Sequence, residues 1–155
     1  MISIDYNVED SVPDLPLKEL DKWLQGILSD SVFNSFPNPS KVSVVFVHDD
    51  QIKEINKEYR GKNESTDVLT FVMNDELPSN YLLGEIIIST DTAKLDANEL
   101  DISLTQEYLW LLSHGFLHLA GFDHHSENDG AVMKSHENRL LRNLNLCGGI
   151  YQYGQ

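Results

Sequence analysis

Cysteine is almost missing from this chain: of 155 residues only Cys147 carries a thiol, so no internal disulfide can form. A domain that does without cross-links suits a reducing compartment, and a cytoplasmic location is expected. Long apolar runs are missing as well. No segment approaches the roughly 20 residues that a helix needs to span a bilayer, and the opening MISIDYNVED lacks the basic and apolar regions of a secretion signal. No membrane partner is expected. Positive charge is scarce: 11 Lys and Arg stand against 25 Asp and Glu, a formal net charge of −14. A generalist binder of phosphate backbones usually has a basic surface, so any phosphate-binding site here must be local. The best candidate is the stretch from Lys53 to Lys62, which includes Lys57 and Arg60. The remaining acidity keeps the surface solvated and discourages non-specific binding.

What is present reads as one domain. The length allows burial of about 70% of the unfolded surface, and neither a repeat nor a low-complexity segment interrupts it. The expected domain covers residues 1–147, with a loose tail over 148–155 that begins at Gly148-Gly149. Ile2, Ile4 and Tyr6 alternate as a strand; Leu17, Leu20, Trp23, Leu24, Ile27 and Leu28 recur at helical spacing behind Pro16. Phe36 to Ser40 breaks the chain before a strand over Val42 to Val47. Asp49 or Asp50 can cap a helix whose apolar stripe is Ile52, Ile55 and Tyr59. Strands follow at Val68 to Met73 and Leu82 to Ser89, separated by the N-D-E-L-P-S-N loop, then a short helix from Thr90 to Asn98. Ser103 and Gln106 form a capping box for a long helix that is apolar nearly all round, as a central buried helix should be. Val132 to Leu144 closes as an amphipathic helix. The expected class is α/β (α+β), with a small mixed four-stranded sheet packed by about five helices. Trp23 and Trp110 are assigned to the core.

The chemistry lies on the central helix, in H-G-F-L-H-L-A-G-F-D-H from His114 to His124. Histidines four residues apart on a helix are separated by about 40° around the axis and about 6 Å along it, so both rings reach one ion. Gly121 can take the left-handed conformation that ends a helix and turns the chain back, bringing His124 over the same face. Three neutral imidazoles with an open position describe a catalytic zinc site. The expected cofactor is one Zn2+, although other divalent transition metals accept imidazole. His125 adjoins His124 and could bind metal in its place, but the H-x-x-G-x-x-H spacing favours His124, so His125 reads as an ordinary residue. His48 and His136 read as ordinary surface or packing residues.

The pattern matches the zinc-protease arrangement H-E-x-x-H-x-x-G-x-x-H except that Gly115 replaces the glutamate base. Glycine can neither take a proton from water nor deliver it to a leaving amine, which counts against a peptidase. A phosphodiester of RNA carries its own nucleophile in the 2′-hydroxyl, and the demand shifts to neutralising phosphate charge.

Together these motifs resemble the YbeY family of bacterial metal-dependent endoribonucleases, which act in ribosomal RNA maturation. The histidine segment carries the resemblance with N-K-E-Y-R-G-K-N-E-S-T-D-V-L-T-F from Asn56 to Phe71, similar to the family's N-x-x-Y-R-x-K-x-x-x-T-D-V-L-S-F, and with L-G-E-I-I-I-S from Leu83 to Ser89. The resemblance implies metal ligation by His114, His118 and His124 and an essential Arg60. It also implies a single-strand-specific endoribonuclease whose partners are ribosomal RNA and, in addition, ribosomal proteins or ribosome-associated factors. Thr66 and Asp67 read as shaping the loop that enters the strand, Asp67 is also a candidate for orienting a ligand histidine or Arg60, and Tyr59 reads as a packing rather than a stacking residue. Glu85 stands where the family commonly has aspartate, and Phe122 where tyrosine is usual. Two other classes stay open at this point: a metalloprotease-like hydrolase, and a ribosome-assembly factor with a mainly structural metal.

Overall fold

The structure, a computed structural model, describes residues 2–73, 82–123 and 125–142. The loop expected around N-D-E-L-P-S-N, His124 and the tail lie outside the described residues.

Four strands form one sheet: β1 (Ile2–Val8), β2 (Ser40–Val47), β3 (Val68–Val72) and β4 (Leu82–Ser89), in the order β1-β2-β4-β3. The sheet is mixed, because β1, β2 and β4 run parallel while β3 lies antiparallel to β4. Five helices pack on it: α1 (Leu17–Leu28), α2 (Asp49–Arg60), α3 (Thr90–Leu100), α4 (Leu104–Leu119) and α5 (Glu127–Arg142). The expected class and architecture are borne out.

Strand alternation divides the core. Val42, Val44, Phe46, Ile86 and Ile88 face the main cluster, where they meet Leu20 and Leu24 of α1 and Leu109, Leu112 and Phe116 of α4. Val47, Leu69 and Ile87 join Ile52 of α2 in a smaller cluster. Both faces are thus covered, as parallel strands require. The approach of α4 to the sheet is close: a Cβ on Gly115 would stand 2.7 Å from Ile86 Cδ1.

Several boundaries differ from expectation. α2 is capped from His48, whose backbone N–H donates to Gln51 Oε1 at 2.9 Å, and Asp49 is already helical. The Asp49 carboxylate instead accepts the hydroxyls of Ser89 and Thr92. α3 continues to Leu100 before Asp101 turns left-handed. α5 starts at Glu127 rather than Val132: Ser126 Oγ accepts the Asp129 N–H at 3.1 Å, and the acidic first turn suits the positive end of a helix dipole. That turn has no apolar stripe, so periodicity alone missed it. Both tryptophans pack against the main cluster, as expected.

Candidate functional site

Each histidine position follows from local rules. The Ser103/Gln106 capping box starts α4, and its burial on the sheet fixes the helix. The helix ends as Gly121, with φ of +100°, donates its N–H to His118 O, while the Phe122 N–H reaches Leu117 O. The expected glycine turn is therefore present. His114 and His118 project from the same side of α4, their Nε2 atoms 3.1 Å apart. Trp110, one turn earlier, stacks on His114 with 5.7 Å between ring centroids.

The second ring nitrogen of His114 is also engaged. Its Nδ1 lies 2.5 Å from Glu137 Oε1 of α5. Glu137 is 2% exposed. A carboxylate there favours the tautomer in which Nδ1–H donates and Nε2 keeps its lone pair toward His118. Sequence reading missed this residue. The available signal was its spacing, because Glu137 shares a helical face with the buried Met133, Leu140 and Leu141. An acid within an apolar stripe needs a partner.

Arg60 arrives from a different element. Gly61, at φ +70°, ends α2, and Asn56 Nδ2 donates to Glu64 O at 2.9 Å, tying the returning loop back to the helix. Arg60 then reaches the edge strand, donating from Nη2 to Thr70 O at 3.0 Å with its guanidinium 5.5 Å from the Phe71 ring centroid. Arg60, Thr70, His114 and His118 line one cleft of about 480 Å³, with Asp67, Asp123 and His125. The cleft thus joins residues from α2, β3, α4 and the loop that follows it. His125, read as ordinary, lies at this cleft with its Nε2 2.8 Å from Asp123 Oδ2.

The side-chain hydrogen bonds of Asp67 are local: its Oδ1 accepts the Val68 N–H at 2.8 Å and the Thr66 hydroxyl at 3.3 Å. That is the strand-entry role expected of Thr66 and Asp67, and neither bond reaches a histidine or Arg60. Tyr59 is a larger departure. It is 67% exposed, touching Phe71 edge-on at 5.7 Å between centroids, so it is no packing residue. Glu85 pairs with Phe71 on the face of β4 opposite the one that Gly84 and Ile86 turn to α4. Its extra methylene therefore lies away from the histidines. Phe122 packs on His136, 4.8 Å between centroids.

The donor set fits a transition metal. Two imidazole nitrogens 3.1 Å apart would subtend about 100° at an ion bound at roughly 2.05 Å, close to a tetrahedral angle. Among the described residues no group of three His, Cys, Asp or Glu side chains converges at ligand range, and the expected third ligand, His124, lies outside them. Gly115 also acquires a structural reason. It faces Ile86 of the sheet, where a side chain would collide, so this position could not aim a base into the cleft.

A family model described as Endoribonuclease YbeY matches residues 5–145. The chain belongs to the YbeY endoribonuclease family. The Endoribonuclease YbeY of Lysinibacillus sphaericus is 36% identical over 156 residues, covering 94% of this chain and 98% of that relative. The one from Rhizobium etli is 41% identical over 124 residues, covering 77% and 72% respectively. The solution structure of TM1509 from Thermotoga maritima shares the fold with a TM-score of 0.60 and 27% identity, covering 100% of this chain and 99% of that one. The expected YbeY membership and endoribonuclease class are borne out. No helix among the described residues is long and apolar enough to cross a membrane.

Proposed function

We propose that the cleft holds one divalent transition metal, zinc foremost, on His114, His118 and His124, and cleaves single-stranded ribosomal RNA with Arg60 on the scissile phosphate. The observation that supports this reading best is the pair of Nε2 atoms 3.1 Å apart in the same cleft as the Arg60 side chain. A bound ion would supply Lewis acidity toward the phosphate.

The chain's own groups do the rest. Glu137 holds the His114 ring with Nε2 toward the cleft. Thr70 O engages one amino group of Arg60, and the other N–H groups of the fork are available to grip two phosphate oxygens. A guanidinium stays charged at any working pH, so it can stabilise the extra negative charge on a pentacovalent phosphorus. Gly115 supplies neither base nor acid, so when the internal 2′-hydroxyl bonds to phosphorus and the P–O5′ bond breaks, the proton lost by the 2′-oxygen and the one gained by the 5′-oxygen are exchanged with water in the cleft. The acidic remainder of the surface, in a chain of net charge −14, is complementary to basic ribosomal proteins that could bring the cleft to its RNA.

The test is incubation of metal-analysed protein with ribosomal RNA, beside Arg60→Ala and His118→Ala verified as folded. Metal-dependent cleavage by the wild type and its loss, by about 100-fold or more, in both variants is expected. Absence of cleavage by a folded, metal-loaded wild type would overturn the reading. Equal cleavage by all three proteins would do the same and indicate a contaminating nuclease.

A further inference from the structure

A large aromatic side chain in the Asn56-to-Phe71 motif stands in solvent. Tyr59 is 67% exposed although it continues the apolar stripe of Ile52 and Ile55. Exposure of that size leaves most of the ring available, while the edge contact with Phe71 gives it a fixed support. Phe71 carries the Arg60 guanidinium on its ring as well, 5.5 Å from the centroid. Tyr59 and Arg60 are thus neighbours on one aromatic base, with Arg60 reaching Thr70 and the cleft.

The surroundings match one ligand chemistry. Lys53, Lys57, Arg60 and Lys62 all lie exposed in this stretch, interrupted by Glu54 and Glu58. Four of the chain's 11 cations are therefore gathered within ten residues of a molecule whose net charge is −14. Val72, 50% exposed, alternates with Phe71 onto the other face of β3 and lines the cleft, and Met73 just beyond it is 45% exposed. An exposed aromatic face beside cations is what a single-stranded nucleic acid uses, bases stacking on the ring while phosphates meet the charges. A purely electrostatic phosphate site would need no exposed ring.

We infer that Tyr59 is a base-stacking subsite that receives an unpaired nucleobase next to the phosphate held by Arg60. This rests on the ribonuclease reading of the cleft and deepens it. Base pairing in a duplex would deny the ring a free face, so the subsite selects single strands. Tyr59 acts in positioning and specificity, and no bond is made or broken at it.

The experiment measures binding of a short 2′-O-methyl RNA, which lacks the 2′-hydroxyl nucleophile, to metal-loaded protein by fluorescence anisotropy. Wild type, Tyr59→Phe and Tyr59→Ala are compared, together with a set of oligonucleotides carrying one abasic site at each position in turn. The exposed location of Tyr59 leaves the fold intact in both variants, which a thermal melt checks. Roughly tenfold or greater weakening is expected for Tyr59→Ala, with Tyr59→Phe close to wild type, as expected for stacking. One abasic position should weaken wild type and leave Tyr59→Ala indifferent. With cleavable RNA, Tyr59→Ala should raise KM far more than it lowers kcat. Equal affinity for wild type and Tyr59→Ala, or no abasic position coupled to Tyr59, overturns the subsite while the ribonuclease reading stands. Failure of folded wild type either to bind or to cleave single-stranded RNA overturns both.

Discussion

Glu137 Oε1 and His114 Nδ1 lie 2.5 Å apart, joining α5 to the face of α4 that carries the histidines. The carboxylate is all but inaccessible to water. Its position restricts the ring to one orientation, and that orientation turns Nε2 toward His118. Two helices are therefore needed to aim one imidazole.

Removing that support should loosen metal binding without unfolding the domain. Groups that orient a ligand histidine typically contribute about 10–100-fold in metal affinity. Glu137→Ala is expected to weaken zinc binding by a factor in that range, measured by competition with a chromophoric chelator. Glu137→Gln keeps an acceptor oxygen for Nδ1–H and should retain most of the affinity. Unchanged zinc affinity in Glu137→Ala would show that the carboxylate does not orient the ring.

Gly84 sets the spacing between the edge strand and α4. An added Cβ would lie 2.2 Å from Phe71 O and 2.5 Å from Leu119 Cδ2. Leu119 can rotate away, but the carbonyl belongs to the β3–β4 ladder and can move only if that pairing opens. Gly84→Ala should lose about 2–3 kcal/mol, the usual scale for overpacking, read from the midpoint of urea unfolding. An undiminished midpoint would mean that β3 yields freely at this edge.

His48 gives the fold a defined pH dependence. Its Nδ1 is 3.2 Å from both carboxylate oxygens of Asp91, and its Nε2 is 3.9 Å from Glu9 Oε2. The hydrogen bond with Asp91 is the main reason that His48 titrates above its ordinary value, and the charges of Asp91 and Glu9 add to it. A raised folded pKa means that the contribution is fully present below the unfolded pKa of about 6.5 and fades as pH rises through the folded value. Asp91 itself titrates low, chiefly because its carboxylate accepts the Asp49 N–H, so it stays ionised through that window. The Tm difference between wild type and His48→Gln should be greatest at about pH 5.5 and shrink toward about pH 8.5. A difference that does not change with pH would leave His48 as an uncharged cap.

Much of this molecule was legible along the chain because the deciding interactions are local. Helix periodicity and the Ser103/Gln106 cap marked α4, and four-residue spacing put His114 and His118 on one side of it. Gly121 announced the turn through its freedom at positive φ. Even the motif around Arg60 was visible, although its partners were not. The first turn of α5 escaped because a cap rather than a stripe of apolar residues starts it. Tyr59 looked buried because it shares a stripe with Ile52 and Ile55, yet the last turn of α2 meets the edge strand and stays open to water.

By itself the sequence determined the element types, the pair of imidazoles on one helix face and the absence of a glutamate base, since each depends on residues within a few positions of one another. Tertiary structure alone decided that Arg60 crosses the edge strand to the histidines' cleft, that Glu137 reaches His114 from another helix, and that Ile86 leaves position 115 no room for a side chain. These depend on the order of strands and the depth at which α4 sits on the sheet. Packing of distant segments settles such distances, and no pattern of spacing within a single segment encodes them.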